Sequence, residues 1–253
     1  MTRGISGYVC VRNAIQLDYC VVESVRSLLP VCDEVVVCDG ESTDGTRKMI
    51  EGMGEPKIRI LDYPWANPDG DSSFWVEWLN WARVRLNYDF QLTLDADEVL
   101  DPAGYDAIRL MAKLGECGIF SRLNFWHDAQ HLAPSNRVCG DTVARCGPTY
   151  LYCPSDEPNP AMTPNIRTHA SLHPDLRIFH YGFLRDKNAF VRKSKAVQQM
   201  FMGSCDSRII EQETLGKDWD ERDYFDGEPL LEYNGLHPEV ALYWLAARGH
   251  NLK

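Results

Sequence analysis

In the first hundred positions of the chain, short runs of apolar residues alternate with longer segments in which apolar residues recur every three or four positions. Residues 5–11 are rich in β-branched and aromatic side chains and predict a strand. Residues 18–29 show helical spacing, and Pro30 is expected to end that helix. Residues 34–39 form a continuous apolar run closed by a carboxylate, which is typical of a strand buried on both faces of a parallel sheet.

The alternation of strand and helix continues along the rest of the chain. Polar capping residues at positions 42–45 predict a helix that runs to residue 50. We further expect strands at residues 57–61, 91–94, 118–126, 143–146, 150–153 and 176–181, and helices at residues 74–86, 102–114, 188–200 and 238–247. Strands linked by helices favour parallel pairing with right-handed crossovers. The predicted fold class is therefore α/β, with a mixed, mainly parallel sheet between helices and a C-terminal extension of helix and loop.

The size and composition of the chain fit one large domain. The 253 residues are 44% hydrophobic, which is enough for a continuous core. We expect this domain to span residues 1–204 and an extension, residues 205–253, to pack on it. The nine cysteines are an odd number and include no C-x-x-C pair, so we interpret them as reduced core thiols rather than as disulfides or zinc ligands.

Charge and hydropathy narrow the classes of partner. No apolar run approaches the roughly 20 residues that a membrane span needs, and residues 1–4 lack the apolar stretch of a signal peptide, so a cytoplasmic protein is expected. The formal net charge of −11 argues against a nucleic-acid partner. One segment is basic, and either a solvated helix face or a phosphate-facing role fits it. Its cations are Arg185, Lys187, Arg192, Lys193 and Lys195.

Two carboxylates, Asp95 and Asp97, follow the predicted strand at residues 91–94. With one small residue between them they can share a divalent cation, and Mg²⁺ and Mn²⁺ prefer such oxygen ligands. The end of a strand also lies at the carboxyl edge of the sheet, where open α/β folds bind ligands. A solvated acidic turn is the alternative, but the position directly after an apolar strand favours a metal site.

A third carboxylate, Asp39, ends an early strand, where it can accept hydrogen bonds from a base or a ribose. Residues 38–46, Asn80 and residues 92–98 together resemble the characteristic motifs of family 2 glycosyltransferases with the GT-A fold, a Rossmann-like α/β fold. The resemblance covers residues 5–100 well and extends more loosely to about residue 200. It implies a nucleotide-sugar half at about residues 1–100 and an acceptor half at about residues 101–204.

The resemblance also implies roles for individual residues. Asp97 would be the direct metal ligand, with Asp95 near both the ribose and the metal. His180, in the segment Phe179-His180-Tyr181-Gly182, resembles a histidine that returns to the metal or the diphosphate, although a buried core histidine is the alternative. The nucleotide-sugar site would be formed by Val11, Arg12, Asp39, Asn80 and Asp95.

The chain departs from the family pattern at two places. Leu79 stands where many relatives have an arginine before the asparagine. Gly40-Glu41 stands at the family's second motif position, which is usually acidic or a glycine, so the preferred nucleobase of the donor stays open. The resemblance implies a general base between the metal motif and His180, with Glu157 as first candidate and Asp156 as second. Asp128 is a third candidate, and an ordinary surface carboxylate is the alternative for all three.

These expectations describe a metal-dependent enzyme that moves a sugar from a UDP-type donor to an acceptor hydroxyl, with inversion. The cofactor would be Mn²⁺ or Mg²⁺, and the acceptor a cell-surface saccharide, a lipid, a protein or a hydroxymethylated DNA base. Two alternatives stay open at this point. A nucleotidyltransferase would need a glycine-rich basic loop early in the chain, and residues 7–16 hold only Gly7 and Arg12 of these types. A catalytically degenerate binding or scaffold protein is the other.

Overall fold

The computed structural model describes residues 2–66, 73–134, 142–149, 170–185, 187–202, 225 and 228–251. Four parallel strands form one side of its sheet, in the order β3-β2-β1-β4, with β3 at the edge. They are β1 (Thr2–Val11), β2 (Glu34–Asp39), β3 (Ile58–Asp62) and β4 (Tyr88–Asp95). The register pairs Val11 with Asp39 and Cys10 with Asp95, so the carboxyl ends of β1, β2 and β4 meet at one edge.

Helices cover both faces of these parallel strands. The helices of this half are α1 (Val21–Leu28), α2 (Thr46–Glu51) and α3 (Ser73–Arg83). Along β1, Ile5, Val9 and Val11 belong to the core that includes α1, while Tyr8 and Cys10 belong to the core that includes α3. Successive side chains point to opposite faces of a strand, so a strand covered on both faces needs apolar side chains on both, as residues 35–38 of β2 provide.

Antiparallel strands complete the sheet on the β4 side. Here β5 (Glu98–Leu100) is followed by a short 3-10 turn (Pro102–Gly104) and α4 (Tyr105–Leu114). The remaining strands of this half are β6 (Cys117–Trp126), β7 (His131–Leu132), β8 (Thr142–Pro148) and β9 (Ala170–Phe183). Strand β8 pairs antiparallel with β4 and β6, and β9 pairs parallel with β6 and antiparallel with β5. The sheet is therefore mixed, with its four parallel strands together on one side.

The last described elements are α5 (Lys187–Met202), β10 (Leu231–Glu232) and α6 (Glu239–Ala247). Strand β10 pairs antiparallel with β7. Helix α6 buries Ala241, Trp244 and Leu245 in a cluster that includes Phe179 and Tyr181 of β9. None of the helices in the described part of the chain combines the length and the apolar character that a bilayer crossing requires.

The predicted fold class is confirmed, with differences at the element ends. The first helix begins at Val21 rather than at residue 18, because Asp18 has a φ of 53°, which a right-handed helix does not allow. Strand β5 was not expected from the sequence. The strand expected at residues 150–153 lies outside the described residues. Six cysteines are described and all are buried, as expected: Cys10, Cys20, Cys32, Cys38, Cys117 and Cys146.

Candidate active site

A cavity of about 860 Å³ opens at the carboxyl ends of β1 and β4. One end is aromatic, since Trp65, Trp75 and Trp78 line it. The other end is charged and contains the aspartates at the end of β4 and just after it, together with Arg122 and His180. Helix α5 forms a wall along the cavity, with both basic and apolar side chains facing it. The cavity therefore combines a surface suited to a planar apolar group with a surface suited to an anion.

The first carboxylate of the charged end, Asp95, is held by a buried ion network. Its Oδ2 accepts a hydrogen bond from Arg145 Nη2 at 2.7 Å, and the same nitrogen donates to Glu98 Oε1 at 2.8 Å. Arg122 Nη2 lies 2.7 Å from Glu98 Oε1 and 3.6 Å from Asp95 Oδ2. The side chains of Arg145 and Glu98 are fully buried. Two arginines thus neutralise two carboxylates beneath the cavity floor.

Burial and charge pull the pKa values of these two carboxylates in opposite directions. Burial opposes ionisation of Glu98, but Arg122 and Arg145 outweigh it and lower the pKa of Glu98 to about 2. Burial raises the pKa of Asp95, and the attraction of Arg145 is partly offset by repulsion from Glu98. The Asp95 side chain is 29% exposed and faces the cavity. It is therefore the member of the network that a ligand can reach.

One oxygen of the second carboxylate, Asp97, accepts hydrogen bonds from two cationic side chains. Lys193 Nζ donates to Asp97 Oδ2 at 2.6 Å, and Arg185 Nη2 donates to the same oxygen at 3.1 Å. Burial opposes ionisation of Asp97, but Lys193 and Arg185 outweigh it, so the pKa of Asp97 lies below its ordinary value. Asp97 is therefore ionised at neutral pH, and α5 reaches it through Lys193.

His180 is brought to Asp97 by strand pairing. In β9 it lies opposite Glu98 of β5 and Asn124 of β6, and Tyr181 N donates to Asp97 O at 2.9 Å. His180 Nδ1 lies 2.8 Å from the side-chain oxygen of Asn124. Since an amide oxygen only accepts, Nδ1 carries the proton and Nε2 keeps its lone pair. Burial lowers the pKa of His180 to about 3, so the ring is neutral.

Two atoms in this corner, the charged end of the cavity, have the spacing of two ligands of one divalent cation. His180 Nε2 lies 3.6 Å from Asp97 Oδ1, and two atoms bound to one ion at about 2.1 Å lie about 3–4 Å apart. Gly182 keeps the space open, because a Cβ there would lie 2.8 Å from Asp97 Oδ2 and closer still to His180 Nε2. Among the described residues no group of three or more His, Cys, Asp or Glu side chains forms a complete metal site. The protein thus offers part of a coordination shell.

The other end of the cavity begins at Arg12. Its guanidinium donates to Glu41 O at 3.2 Å and to Gly40 O, and it lies 4.4 Å from the ring centroid of Trp65. Asp39, in the neighbouring strand, is buried and its carboxylate accepts hydrogen bonds from Ser42 N and Oγ. Asp39 therefore shapes the loop after β2 and does not itself line the cavity.

Two further residues expected in the site are engaged elsewhere. The side-chain oxygen of Asn80, on α3, accepts from Arg83 Nε at 3.1 Å. Asp128 Oδ1 accepts from Gln130 N and lies 2.8 Å from His131 Nδ1. Neither residue lines the cavity. Glu157 and Asp156 lie outside the described residues.

The structure thus gathers five of the expected residues around one cavity, and they are Val11, Arg12, Asp95, Asp97 and His180. It adds four cations that the sequence motifs did not identify: Arg122, Arg145, Arg185 and Lys193. Two of these, Arg185 and Lys193, belong to the basic segment for which a phosphate-facing role was one alternative. The two arginines of β6 and β8 gave only a weak signal, namely a charged residue inside a strand that is mainly apolar or uncharged.

Comparison with known proteins gives short sequence matches. No protein-family model matches the chain. Over 109 residues, 43% of this chain, it is 31% identical to an uncharacterized glycosyltransferase of Rickettsia bellii, and the match covers 32% of that relative. A glycosyltransferase of Rickettsia conorii, also uncharacterized, is 31% identical over 108 residues, which are 34% of its length. The matches therefore span about a third of these relatives.

A solved structure matches over more of the chain. The mannosyltransferase PcManGT from Pyrobaculum calidifontis, in complex with GDP-Man and Mn²⁺, superimposes with a TM-score of 0.51 and 17% identity. The match covers 89% of this chain and 68% of that one. At this identity the likeness concerns the fold, which is the α/β architecture described above.

Proposed function

We propose that this chain is a glycosyltransferase that moves a sugar from a nucleoside diphosphate sugar to an acceptor hydroxyl. The observation that carries the proposal is the Asp97–His180 pair at the end of β4, which faces a cavity with a basic wall. Open α/β sheets bind ligands at this edge. The names of the sequence relatives support the same reaction class. We propose further that the chain is of the inverting GT-A, family 2 type, with the domain limits at residues 204 and 205.

In this proposal the donor lies along the cavity. Its base and ribose, of a UDP-type donor, lie toward Arg12 and Trp65, because an aromatic ring offers a stacking surface to any base. Its diphosphate lies toward the charged end, where Arg122 and Lys193 supply positive charge. An ammonium and a guanidinium bind phosphate oxygens through charge-assisted hydrogen bonds. This orientation puts the sugar next to the turn that holds Asp95 and Asp97.

A divalent cation, Mn²⁺ or Mg²⁺, would be held by Asp97 Oδ1 and His180 Nε2, with Asp95 nearby, and would neutralise charge on the leaving diphosphate. The neutral state of His180 leaves Nε2 available for this role, and Asn124 fixes the ring through Nδ1. The Arg145 network holds the Asp95 side chain in one orientation at the cavity floor. These residues supply positioning and fixed charge, which are the main requirements for transfer without a covalent intermediate.

The residues proposed to act on the acceptor lie outside the described part of the chain. We keep Glu157 as the proposed general base and Asp156 as the second candidate, in the role of taking a proton from the acceptor hydroxyl. The acceptor class is a saccharide, a lipid, a protein or a modified DNA base. The sugar-transfer proposal does not depend on which of these it is, because donor binding and donor hydrolysis test the site directly.

The test is release of nucleoside diphosphate from a panel of nucleotide sugars in the presence of Mn²⁺. We expect at least one donor to be hydrolysed slowly by the wild type and Asp97→Asn to reduce the rate by about 100-fold, as the loss of a charge-stabilising group does elsewhere. Asp106→Asn is the matched control, because Asp106 is fully exposed and, among the described residues, its ion pair is with Arg109. Failure of every donor to bind or to be hydrolysed would overturn the proposal.

A further inference from the structure

Lys193 has an unusual set of neighbours for a cavity-lining lysine. Its Nζ lies 2.6 Å from Asp97 Oδ2 and 3.3 Å from Gly182 O. The ring centroids of Tyr19 and Phe183 lie 5.6 Å and 5.4 Å from the same nitrogen. An ammonium is attracted to the face of an aromatic ring. The end of the side chain is therefore placed where it compensates the charge of Asp97.

Of the two cations that contact Asp97, Arg185 is fixed more firmly than Lys193. The Arg185 side chain is fully buried and also donates to Leu17 O, so it is held at both ends of its guanidinium. The Lys193 side chain is 16% exposed and lies on the cavity side of α5. A lysine carries a point charge on a flexible stem of four carbons. Of the two cations, Lys193 is the one that can exchange Asp97 for another anion.

The positive charges around Asp97 oppose the binding of a divalent cation when no diphosphate is present. Asp97 contributes one negative charge, while Arg185 and Lys193 contribute two positive charges on the same oxygen. A divalent cation between Asp97 Oδ1 and His180 Nε2 would be next to the ammonium, and like charges at such distances repel strongly in a buried site. A diphosphate brings the negative charge that both cations need.

We propose that Lys193 is the resident counter-ion of Asp97, and that it transfers to the diphosphate when the donor binds, so that the divalent cation binds tightly only together with the donor. The inference rests on the proposed function for the identity of the donor. It assigns Lys193 a role as a positioning residue that couples the metal and the diphosphate. Such a coupling is reciprocal: whatever makes the metal depend on the diphosphate makes the diphosphate depend on the metal by the same factor.

The alternative is that Lys193 only fastens α5 to the sheet. The two accounts predict opposite signs for metal binding without donor. If Lys193 competes with the metal, Lys193→Met frees Asp97 and tightens Mn²⁺ binding. If Lys193 is only a tether, its removal loosens the corner and weakens Mn²⁺ binding or leaves it unchanged. A stability change alone cannot imitate a tighter metal site.

The experiment measures Mn²⁺ affinity by electron paramagnetic resonance of free Mn²⁺, first without nucleotide. Lys193→Met should bind Mn²⁺ about 10-fold more tightly than the wild type, a size typical of coupling between sites. Lys193→Arg should stay near the wild type because it keeps the charge. Lys113→Met, on the exposed side of α4, is the control for the loss of one positive charge. Unchanged or weaker Mn²⁺ binding in Lys193→Met overturns the inference.

The second half of the experiment repeats the titration with a nucleoside diphosphate in the presence of Mn²⁺. Here Lys193→Met should bind the nucleotide about 10-fold more weakly than the wild type, so the two ligands respond in opposite directions. Equal or tighter nucleotide binding overturns the transfer of Lys193 to the diphosphate. If the wild type binds no nucleotide at all, the proposed function fails, while the measurement without nucleotide still decides whether Lys193 is the counter-ion of Asp97.

Discussion

Removal of Arg145 provides a sharp test of the buried network beneath the cavity. In Arg145→Met the side-chain volume is nearly kept, but Asp95 and Glu98 lose the hydrogen bonds of 2.7 and 2.8 Å from one guanidinium nitrogen. Arg122 would remain as the only cation on two carboxylates among the described contacts of this network. A buried charge that loses its partner typically costs about 3–5 kcal/mol of folding free energy. For a chain of this length that corresponds to a fall of about 6–20 °C in melting temperature.

The assay is urea unfolding at pH 7, followed by tryptophan fluorescence, on the wild type, Arg145→Met, Glu98→Gln and the double variant. Because the two residues are in direct contact, we expect the double variant to lose about 1–3 kcal/mol less than the sum of the single losses. Arg109→Met is the control: its ion pair with Asp106 is exposed, so its loss should cost no more than about 1 kcal/mol. A loss below about 1 kcal/mol in Arg145→Met, or strict additivity in the double variant, would refute the reasoning.

Three further predictions follow from the same contacts. Gly182→Ala should abolish Mn²⁺-dependent donor binding in calorimetry, because the added Cβ would lie within 2.8 Å of Asp97 Oδ2; unchanged binding would contradict the open space described there. Trp65→Leu should weaken nucleotide binding by about 1–3 kcal/mol with little effect on Mn²⁺ alone, since base stacking contributes about that amount; equal affinity would move the base elsewhere. The pKa of Glu98 is lowered to about 2, so the stability from its ionised form is complete above about pH 4.5 and lost as the pH falls through 2. The difference in free energy of unfolding between the wild type and Glu98→Gln, measured in urea, should therefore narrow between about pH 5 and pH 3. A constant difference would contradict this.

The sequence predicted the bounds of some strands and missed the ends of others. Strand β2 has the expected bounds, because residues 35–38 are apolar and buried on both faces, and a carboxylate stands at each end of this run. Strands β1 and β4 extend beyond the expected ranges and include polar residues such as Arg3 and Asp89. The apolar pattern does not mark these residues because they lie at the end of the strand that is outside the core. Strand β5 has three residues and pairs with a strand about 80 positions later, so no local pattern predicts it.

Residues that line the cavity could be predicted where a motif marks them, and not where charges pair across the sheet. Asp95 and Asp97 stand out because two carboxylates follow an apolar strand. Arg145 does not, because nothing near it in the sequence shows that its partners lie at the end of β4 and in β5, some 50 positions earlier. Lys193 was one of several cations in a basic segment, and the segment alone could not show which of them reaches Asp97. Long-range ion pairs depend on the register of the strands and on the position of α5, which a local pattern does not contain.

A crystal structure with Mn²⁺ and the donor found in the screen is the most direct test of the central claim that the cavity at the end of β4 binds a nucleoside diphosphate sugar. We expect the diphosphate between the Asp97–His180 pair and α5, the metal on Asp97 Oδ1 and His180 Nε2, and the base on the side of Trp65. Donor bound at another surface, with Asp97 still paired to Lys193 and the cavity without nucleotide, would contradict the account.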